Sequence, residues 1–217
     1  IAGMAFLPLI SAAYCGPAGD PHYLSYLRGG LSGDDTRRKA REGAGPIDAP
    51  DVAVLMFGEH RVPRPLTGLA VVGPGDVDAA LASARRVVVV GADADLAAVL
   101  TRLLRAELLN VEVAYVPGRR TQATRAYRLP AGRRAARRAR RGPAQRVPLI
   151  RDETGSAIVG AAEWRPGGDA QLLHGEAVVD DTVLFDGDVP GVRIEPTAAL
   201  PGLRARVTGG RSRRWRT

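Results

Sequence analysis

A glycine turn followed by two carboxylates is the segment of the chain best suited to bind a phosphate group. The run from Val87 to Val90 is uninterrupted and β-branched, as expected for a strand buried on both faces. Gly91 follows it, and Asp93 and Asp95 stand where the next helical pattern begins. In parallel α/β sheets, ligands bind beyond the carboxyl ends of the strands, and the positive end of the following helix attracts anions. The pattern therefore predicts a phosphate-bearing ligand at this turn.

The two carboxylates of the turn allow two interpretations. They would repel a phosphate in the absence of a divalent cation, so one interpretation is a nucleotide phosphate bridged by Mg²⁺ beside Asp93 and Asp95. The other is that both side chains cap the helix and complement its dipole, with no role in ligand binding. Both interpretations stay open at the level of the sequence.

Three motifs, which begin at Gly91, Pro117 and Phe185, occur in an order that resembles the diacylglycerol kinase-like lipid kinases, whose nucleotide-binding fold is shared with NAD kinases. The sequence GADADL at 91–96 resembles that family's GGDGTL turn. The segment 117–130, which begins PGRRT, resembles its P-x-GT-x-N-D-x-A stretch, and FDGD at 185–188 is similar to its closing DGE turn. The resemblance covers roughly 87–130 and 183–207, and it implies binding of ATP with Mg²⁺.

The same resemblance implies roles for individual residues. Asp93 and Asp188 would be the catalytic carboxylates. Phosphoryl transfer needs donors to the phosphates and a clamp on their charge, as well as a base near the acceptor hydroxyl. The residues expected to contact the nucleotide are Gly91, Asp93, Asp95, Gly118, Arg119, Arg120 and Thr121.

Several positions depart from the family's pattern. Ala92 and Ala94 replace glycines that would let backbone amides close on a phosphate, and Asp95 replaces a threonine hydroxyl. Gln122 and Ala123 stand near the family's Asn-Asp pair. From these departures we predict a degenerate member that binds a nucleotide or a phospholipid and has weak or no kinase activity. The alternatives are an active ATP-dependent lipid kinase and an arginine-rich protein associated with nucleic acid.

The sequence GRRAARRARRG at 132–142 contains six arginines and is a second candidate for binding anions. As a helix, it would place most of them on one face, with alanines opposite. Such a basic stripe suits an anionic membrane surface or nucleic acid, and a solvated helix or linker without a partner is the third interpretation. The run lacks aromatic side chains that would stack on bases, which favours lipid over nucleic acid. The arginines on that face are Arg133, Arg134, Arg137, Arg138 and Arg141.

Zinc-type sites and hydrolase machinery find no support in the sequence. His22, His60 and His174 are scattered, without the spacing of a metal site, and no GxSxG elbow occurs. Glu59 beside His60 lies in a proline-rich segment and is interpreted as surface polar sequence. Cys15 is the single cysteine, so no internal disulfide can form.

The elements that would position the glycine turn form a β-α-β unit. After the turn, apolar residues recur at the spacing of one helix face, and Val111 to Val116 is the next strand-like run. A right-handed crossover of this kind makes the two strands parallel. The residues on the apolar helix face are Leu96, Val99, Leu100, Leu103, Leu104 and Leu108.

The chain as a whole is predicted to be an α/β protein in four segments. Residues 51–130 would form a parallel-sheet domain of the nucleotide-binding type, and 131–146 an arginine-rich connector outside the core. Residues 147–217 would form a small β-rich subdomain with a basic tail. Residues 1–50 are predicted to be irregular, except that the opening apolar run is expected to be a buried strand or turn rather than a signal peptide.

Composition and charge bear on partners and compartment. The 217 residues carry a net charge of +8, and Lys39 is the only lysine. An arginine excess of this kind is produced by a GC-rich genome or by selection for anionic partners, and the sequence leaves both explanations open. The single cysteine fits a reducing compartment, so a cytoplasmic protein is expected, with the arginine run allowing a peripheral position at the inner face of the membrane.

Overall fold

A mixed seven-stranded sheet forms the centre of the fold. The computed structural model of the chain describes residues 3–9, 51–152, 154–167, 169–179 and 182–209. The spatial order of the strands is β3-β2-β4-β5-β1-β6-β7. In chain order they are β1 (Gly3–Leu9), β2 (Val52–Met56), β3 (Ala70–Val72), β4 (Arg86–Val90), β5 (Glu112–Val116), β6 (Gln145–Arg151) and β7 (Ala157–Ile158).

The strands at the centre of this sheet run parallel. β3, β2, β4 and β5 pair in parallel, and β1 joins β5 in parallel through the register pair Leu9 and Val113. β6 and β7 continue the sheet in antiparallel fashion. Because β2, β4 and β5 point the same way, their carboxyl ends meet at one edge, which we call the carboxyl edge.

Helices cover both faces of the sheet. One face packs against α1 (Val77–Ser83), α2 (Asp93–Arg105) and α3 (Gln122–Ala126), and the other against the 3-10 turn Arg64–Leu66 and α4 (Gly132–Arg141). The position of β4 between two layers of helices explains why its sequence is a run of valines. Val87 and Val89 belong to the core on the α2 face, whereas Val88 and Val90 belong to the core on the α4 face. Both faces of the strand therefore need apolar side chains.

The predicted β-α-β unit is confirmed. β4 and β5 are parallel, with Val87 opposite Val113, and α2 connects them. On α2, the side chains facing the sheet are at most 3% exposed, and Leu104 packs against the same core from a partly buried position. Leu108, which was expected on the same helix face, lies three residues beyond the end of α2 and also packs against this core. The buried residues of that face are Leu96, Val99, Leu100 and Leu103.

The prediction that the arginine-rich segment lies outside the core was wrong for one face of it. The segment forms the ten-residue helix α4, and its alanines Ala135, Ala136 and Ala139 are 2%, 0% and 2% exposed. They pack with Val88 and Val116 of the sheet. Alanine is small enough to let the helix backbone approach the sheet closely, so a helix with a very polar average composition still covers a core.

The carboxy-terminal part adds two small antiparallel sheets. β9 (Leu173–Val179) and β10 (Thr182–Val189) form a hairpin, and β8 (Ala162–Trp164), β11 (Val192–Pro196) and β12 (Leu203–Val207) form a three-stranded sheet. An α/β fold with a β-rich carboxy-terminal part is thus observed, although β6 spans the expected boundary at 147 and belongs to the large sheet. The predicted turn at 186–188 lies inside β10, so that expectation was wrong.

The amino-terminal segment is described only over its first strand. Gly3–Leu9 forms β1, in line with the expected strand in the opening apolar run. The remaining predictions for 1–50, including those on Cys15 and His22, and the basic tail at 210–217 lie outside the described residues. Within the described ranges, no helix has the length and apolar character needed to cross a membrane.

Candidate functional site

The space above Gly91 is filled by a side chain of the same turn. The Asp95 carboxylate accepts a hydrogen bond from the Ala92 amide at 2.7 Å, which closes the first turn of α2 from inside. A Cβ placed on Gly91 would collide with that carboxylate and would approach the Cβ of Phe57 to 3.1 Å. The glycine therefore makes room for Asp95, and the geometry favours the helix-capping interpretation of this carboxylate.

Asp93 connects three elements at the carboxyl edge. Its Oδ1 accepts the hydroxyl hydrogen bond of Tyr115 at 2.9 Å, and its Oδ2 accepts from the backbone amide of Ala123 at 3.2 Å. Burial, and then the hydrogen bond to Asp93, raise the pKa of Tyr115, so the phenol keeps its proton and remains a donor. Asp93 thus ties the start of α2 to β5 and to α3.

The loop after β7 covers the same carboxylate. A Cβ placed on Gly160 would lie 3.7 Å from Asp93 Oδ2 and 3.1 Å from the side chain of Gln122. Each oxygen of Asp93 thus accepts one hydrogen bond and the loop packs over them, so the described contacts of this carboxylate are structural. Among the described residues, no group of three His, Cys, Asp or Glu side chains is placed to hold a metal ion.

The other residues implied by the resemblance are divided between several places. Thr121 caps α3, because its hydroxyl accepts from the Thr124 amide at 3.2 Å. Arg119 and Arg120 are exposed in the loop after β5. Asp188 lies on the β9–β10 hairpin, where its carboxylate contacts His174 Nδ1 at 2.7 Å. Asp188 lies in β10 of the two-stranded sheet, whereas Asp93 begins α2, and the two carboxylates share no described contact.

A cavity of about 460 Å³ opens at the carboxyl edge, on the α4 face of the sheet. Its floor includes Val90 and Val116, the last residues of β4 and β5. One wall is the loop after β2, the second is the loop after β5, and the third is the start of α4. Of the residues implied by the resemblance, Gly118 lines this cavity.

The topology of the sheet makes this edge a natural ligand site. After β2 the chain passes to the 3-10 turn on the α4 face, whereas after the neighbouring β4 it passes to α2 on the opposite face. Two adjacent parallel strands whose connections leave to opposite faces form a switch point, and ligands of open α/β sheets bind there. The cavity lies beside this point.

Two glycines with left-handed backbone shape the walls. Gly58 has φ +69°, and a Cβ on it would lie 3.3 Å from His60 Nδ1, so the glycine lets the chain fold back after β2. Gly132 has φ +59°, and its amide donates to the Pro117 carbonyl at 2.7 Å. The second bond fixes the start of α4 against the loop after β5.

A side chain of α4 fixes the remaining wall. Arg140 Nη1 donates to the carbonyls of Pro65 and Thr67 at 2.9 and 3.1 Å. This bond pair joins α4 to the loop after β2, which carries Arg64. The three walls of the cavity are therefore connected to each other as well as to the sheet.

The lining of the cavity is basic. Arg61, Arg64 and Arg133 line it against a single carboxylate, that of Glu59, and His60 completes the polar part. Within the part of the chain that the structure describes, no ion pair engages these arginines. The first turn of α4 adds amides without intrahelical acceptors and the positive end of a helix dipole. The cavity thus combines fixed walls with an excess of positive charge, which suits an anionic ligand.

The sequence reasoning missed most of this site. It interpreted Glu59 and His60 as surface polar residues, and it did not connect Arg61 or Arg64 with Arg133. A usable signal was present, because the segment with Glu59 directly follows a short buried strand of a parallel sheet, as the glycine turn does. Comparison of the chain with protein-family models, curated proteins and solved structures gives no match. The resemblance to lipid kinases therefore remains a prediction carried by its motifs.

Proposed function

We propose that this protein binds a phosphate-bearing small molecule in the cavity at the carboxyl edge. The observation that carries the proposal is the convergence of Arg61, Arg64 and Arg133, from two distant segments, on one cavity at the switch point of the sheet. Guanidinium groups present forked donors that match phosphate oxygens, and the start of α4 adds backbone amides. Three such groups offset the charge of a diphosphate without a metal ion.

The size and chemistry of the cavity favour a nucleotide. A volume of about 460 Å³ lies within the roughly 300–1,000 Å³ range of small-molecule sites. Val90, Val116 and Pro117 supply an apolar floor for the uncharged part of the ligand, while the arginines hold the phosphates. A phospholipid headgroup presents the same phosphate chemistry and is the alternative source of the ligand.

We infer binding rather than phosphoryl transfer. Catalysis would need a carboxylate free to accept the proton of an acceptor hydroxyl, or to hold Mg²⁺. Asp93, the residue that the resemblance implies for this role, has both oxygens bonded to Tyr115 and Ala123. Asp188 lies on the β9–β10 hairpin beside His174. Neither of these two carboxylates lines the cavity that holds the arginines. The carboxylate that does line it, Glu59, faces three guanidinium groups and is not a residue that the resemblance implies.

A thermal-shift screen tests the proposal. ATP, ADP, NAD, pyrophosphate and glycerol 3-phosphate are compared with and without Mg²⁺. A ligand at 100 times its Kd stabilises the native state by about 2.7 kcal/mol, which raises Tm by roughly 5–10 °C for a chain of this size. We expect such a shift without Mg²⁺, and we expect it to shrink in Arg64→Gln and in Arg133→Gln.

The matched control is Arg105→Gln, which removes an equal charge from the exposed end of α2 on the opposite face. This variant should keep the full ligand-induced shift. The opposite outcome is a shift that requires Mg²⁺, persists in Arg133→Gln and disappears in Asp93→Ala. It would show that the ligand binds at the glycine turn, and it would favour the kinase alternative.

A further inference from the structure

We propose that the outer face of α4 is a docking surface for an anionic lipid bilayer. We call this surface the arginine face and define it by the exposed residues Arg133, Arg134, Arg137 and Arg141. It lies beyond the cavity and is a second binding function. It rests on the proposed function only in that Arg133 belongs to both.

The burial of α4 determines the direction of these side chains. Because Ala135, Ala136 and Ala139 are packed against the sheet, the arginines project from the opposite side of the helix. Hydrogen bonds hold the helix at both ends. Near its end, Arg140 donates to two carbonyls of the loop after β2, and at its start the Gly132 amide donates to the Pro117 carbonyl. The charges are thus presented by a fixed helix along a line of about 12 Å from Arg133 to Arg141, given a rise of roughly 1.5 Å per residue.

The charge of the arginine face is uncompensated within the described residues. The structure describes ion pairs for arginines elsewhere, such as Arg85 with Asp51 and Arg193 with Glu163, but none for the four residues of this face. The face is also continuous with the cavity, where Arg61 and Arg64 lie near Arg133. A single basic surface therefore runs from the loop after β2 along the whole of α4.

The composition of the face favours a bilayer over nucleic acid. It carries no aromatic side chain to stack on bases. Its buried side is alanine packed on the sheet, so nothing is available to insert into hydrocarbon. Binding must then be peripheral and electrostatic, as for polybasic segments at anionic headgroups, where each basic residue contributes roughly a factor of five in partitioning.

The test is sedimentation of the full chain with vesicles of phosphatidylcholine containing about a third phosphatidylserine. The triple variant Arg134→Gln, Arg137→Gln, Arg141→Gln leaves the cavity arginines in place. We expect its partitioning to fall on the order of a hundredfold, since three basic contacts are lost. Binding by the unaltered chain should weaken steeply between low and physiological salt, and it should be absent with pure phosphatidylcholine.

The control triple variant is Arg105→Gln, Arg125→Gln, Arg128→Gln, which removes the same charge from exposed positions on the α2 side of the sheet. It should retain most of the binding. Equal losses in the two triple variants, salt-insensitive binding, or tighter binding to duplex DNA than to vesicles at equal phosphate concentration would each overturn the proposal. Loss of vesicle binding with a retained ligand-induced thermal shift would separate docking from the cavity.

Discussion

Replacing Gly91 by alanine tests what occupies the space above the glycine turn. Gly91 does not have left-handed backbone, so alanine imposes no conformational strain there and gains about 0.4–1 kcal/mol through the unfolded chain. The added methyl group collides with the Asp95 carboxylate and presses on Phe57. Asp95 must leave the Ala92 amide, which costs about 1–2 kcal/mol, and crowding beside Phe57 adds about 1 kcal/mol or more.

The net expectation for Gly91→Ala is a loss of about 2 kcal/mol in the free energy of unfolding. Asp95→Ala alone should lose about 1 kcal/mol, the value of a helix cap. The double variant should lose about 1 kcal/mol rather than 3, because the new methyl group takes the place of the carboxylate. The coupling energy of this double-mutant cycle is therefore about 2 kcal/mol.

Urea denaturation of the four proteins measures the cycle. A common m-value establishes that the differences reflect the native state. Additive losses, with a coupling energy near zero, would show that Asp95 does not fill the space above Gly91. A Gly91→Ala variant of unchanged stability that lost ligand binding would instead place the phosphate at the turn.

Three further variants probe the supports of the site. Leu100→Ala should lower the free energy of unfolding by about 2–5 kcal/mol, because the side chain is 3% exposed under the sheet; a loss below 1 kcal/mol in urea denaturation would contradict this packing. Arg86→Ala should lower the free energy of unfolding by about 3–5 kcal/mol, because the buried Arg86 side chain donates to the Glu112 carboxylate and to two carbonyls at the end of α4. An unchanged stability in calorimetry would argue against the buried ion pair. Tyr115→Phe removes one hydrogen-bond donor to Asp93 and should lower the free energy of unfolding by about 1 kcal/mol, as measured by thermal denaturation. A larger effect on ligand affinity than on stability would indicate that Asp93 takes part in ligand binding.

The elements beside the glycine turn could be predicted because their signals are local. Four consecutive valines need a strand buried on both faces, and the leucine spacing after Gly91 fits only one helix face. The same local reasoning failed on α4, where six arginines dominate any average over the segment. The decisive residues there were the alanines, such as Ala136, and their burial depends on a sheet formed by distant strands.

The cavity could not be predicted, because its residues come together only through the order of the strands. Arg64 and Arg133 lie far apart in the sequence, and the connection after β2 brings one of them beside the start of α4. The placement of β1 between β5 and β6 has no local signal either, since both of its partner strands lie more than a hundred residues further along the chain. The sequence located the arginine run at 132–142, but only the fold brings Arg61 and Arg64 beside its first residues.

Calorimetric titration with the nucleotide that gives the largest thermal shift is the most direct test of the cavity as the ligand site. In a buffer free of Mg²⁺, the account predicts that Arg64→Gln and Arg133→Gln each weaken binding about tenfold to a hundredfold, the value of one hydrogen bond to a charged group. Arg105→Gln should bind like the unaltered protein. Unchanged affinity in both cavity variants, or binding seen only with Mg²⁺, would contradict the account.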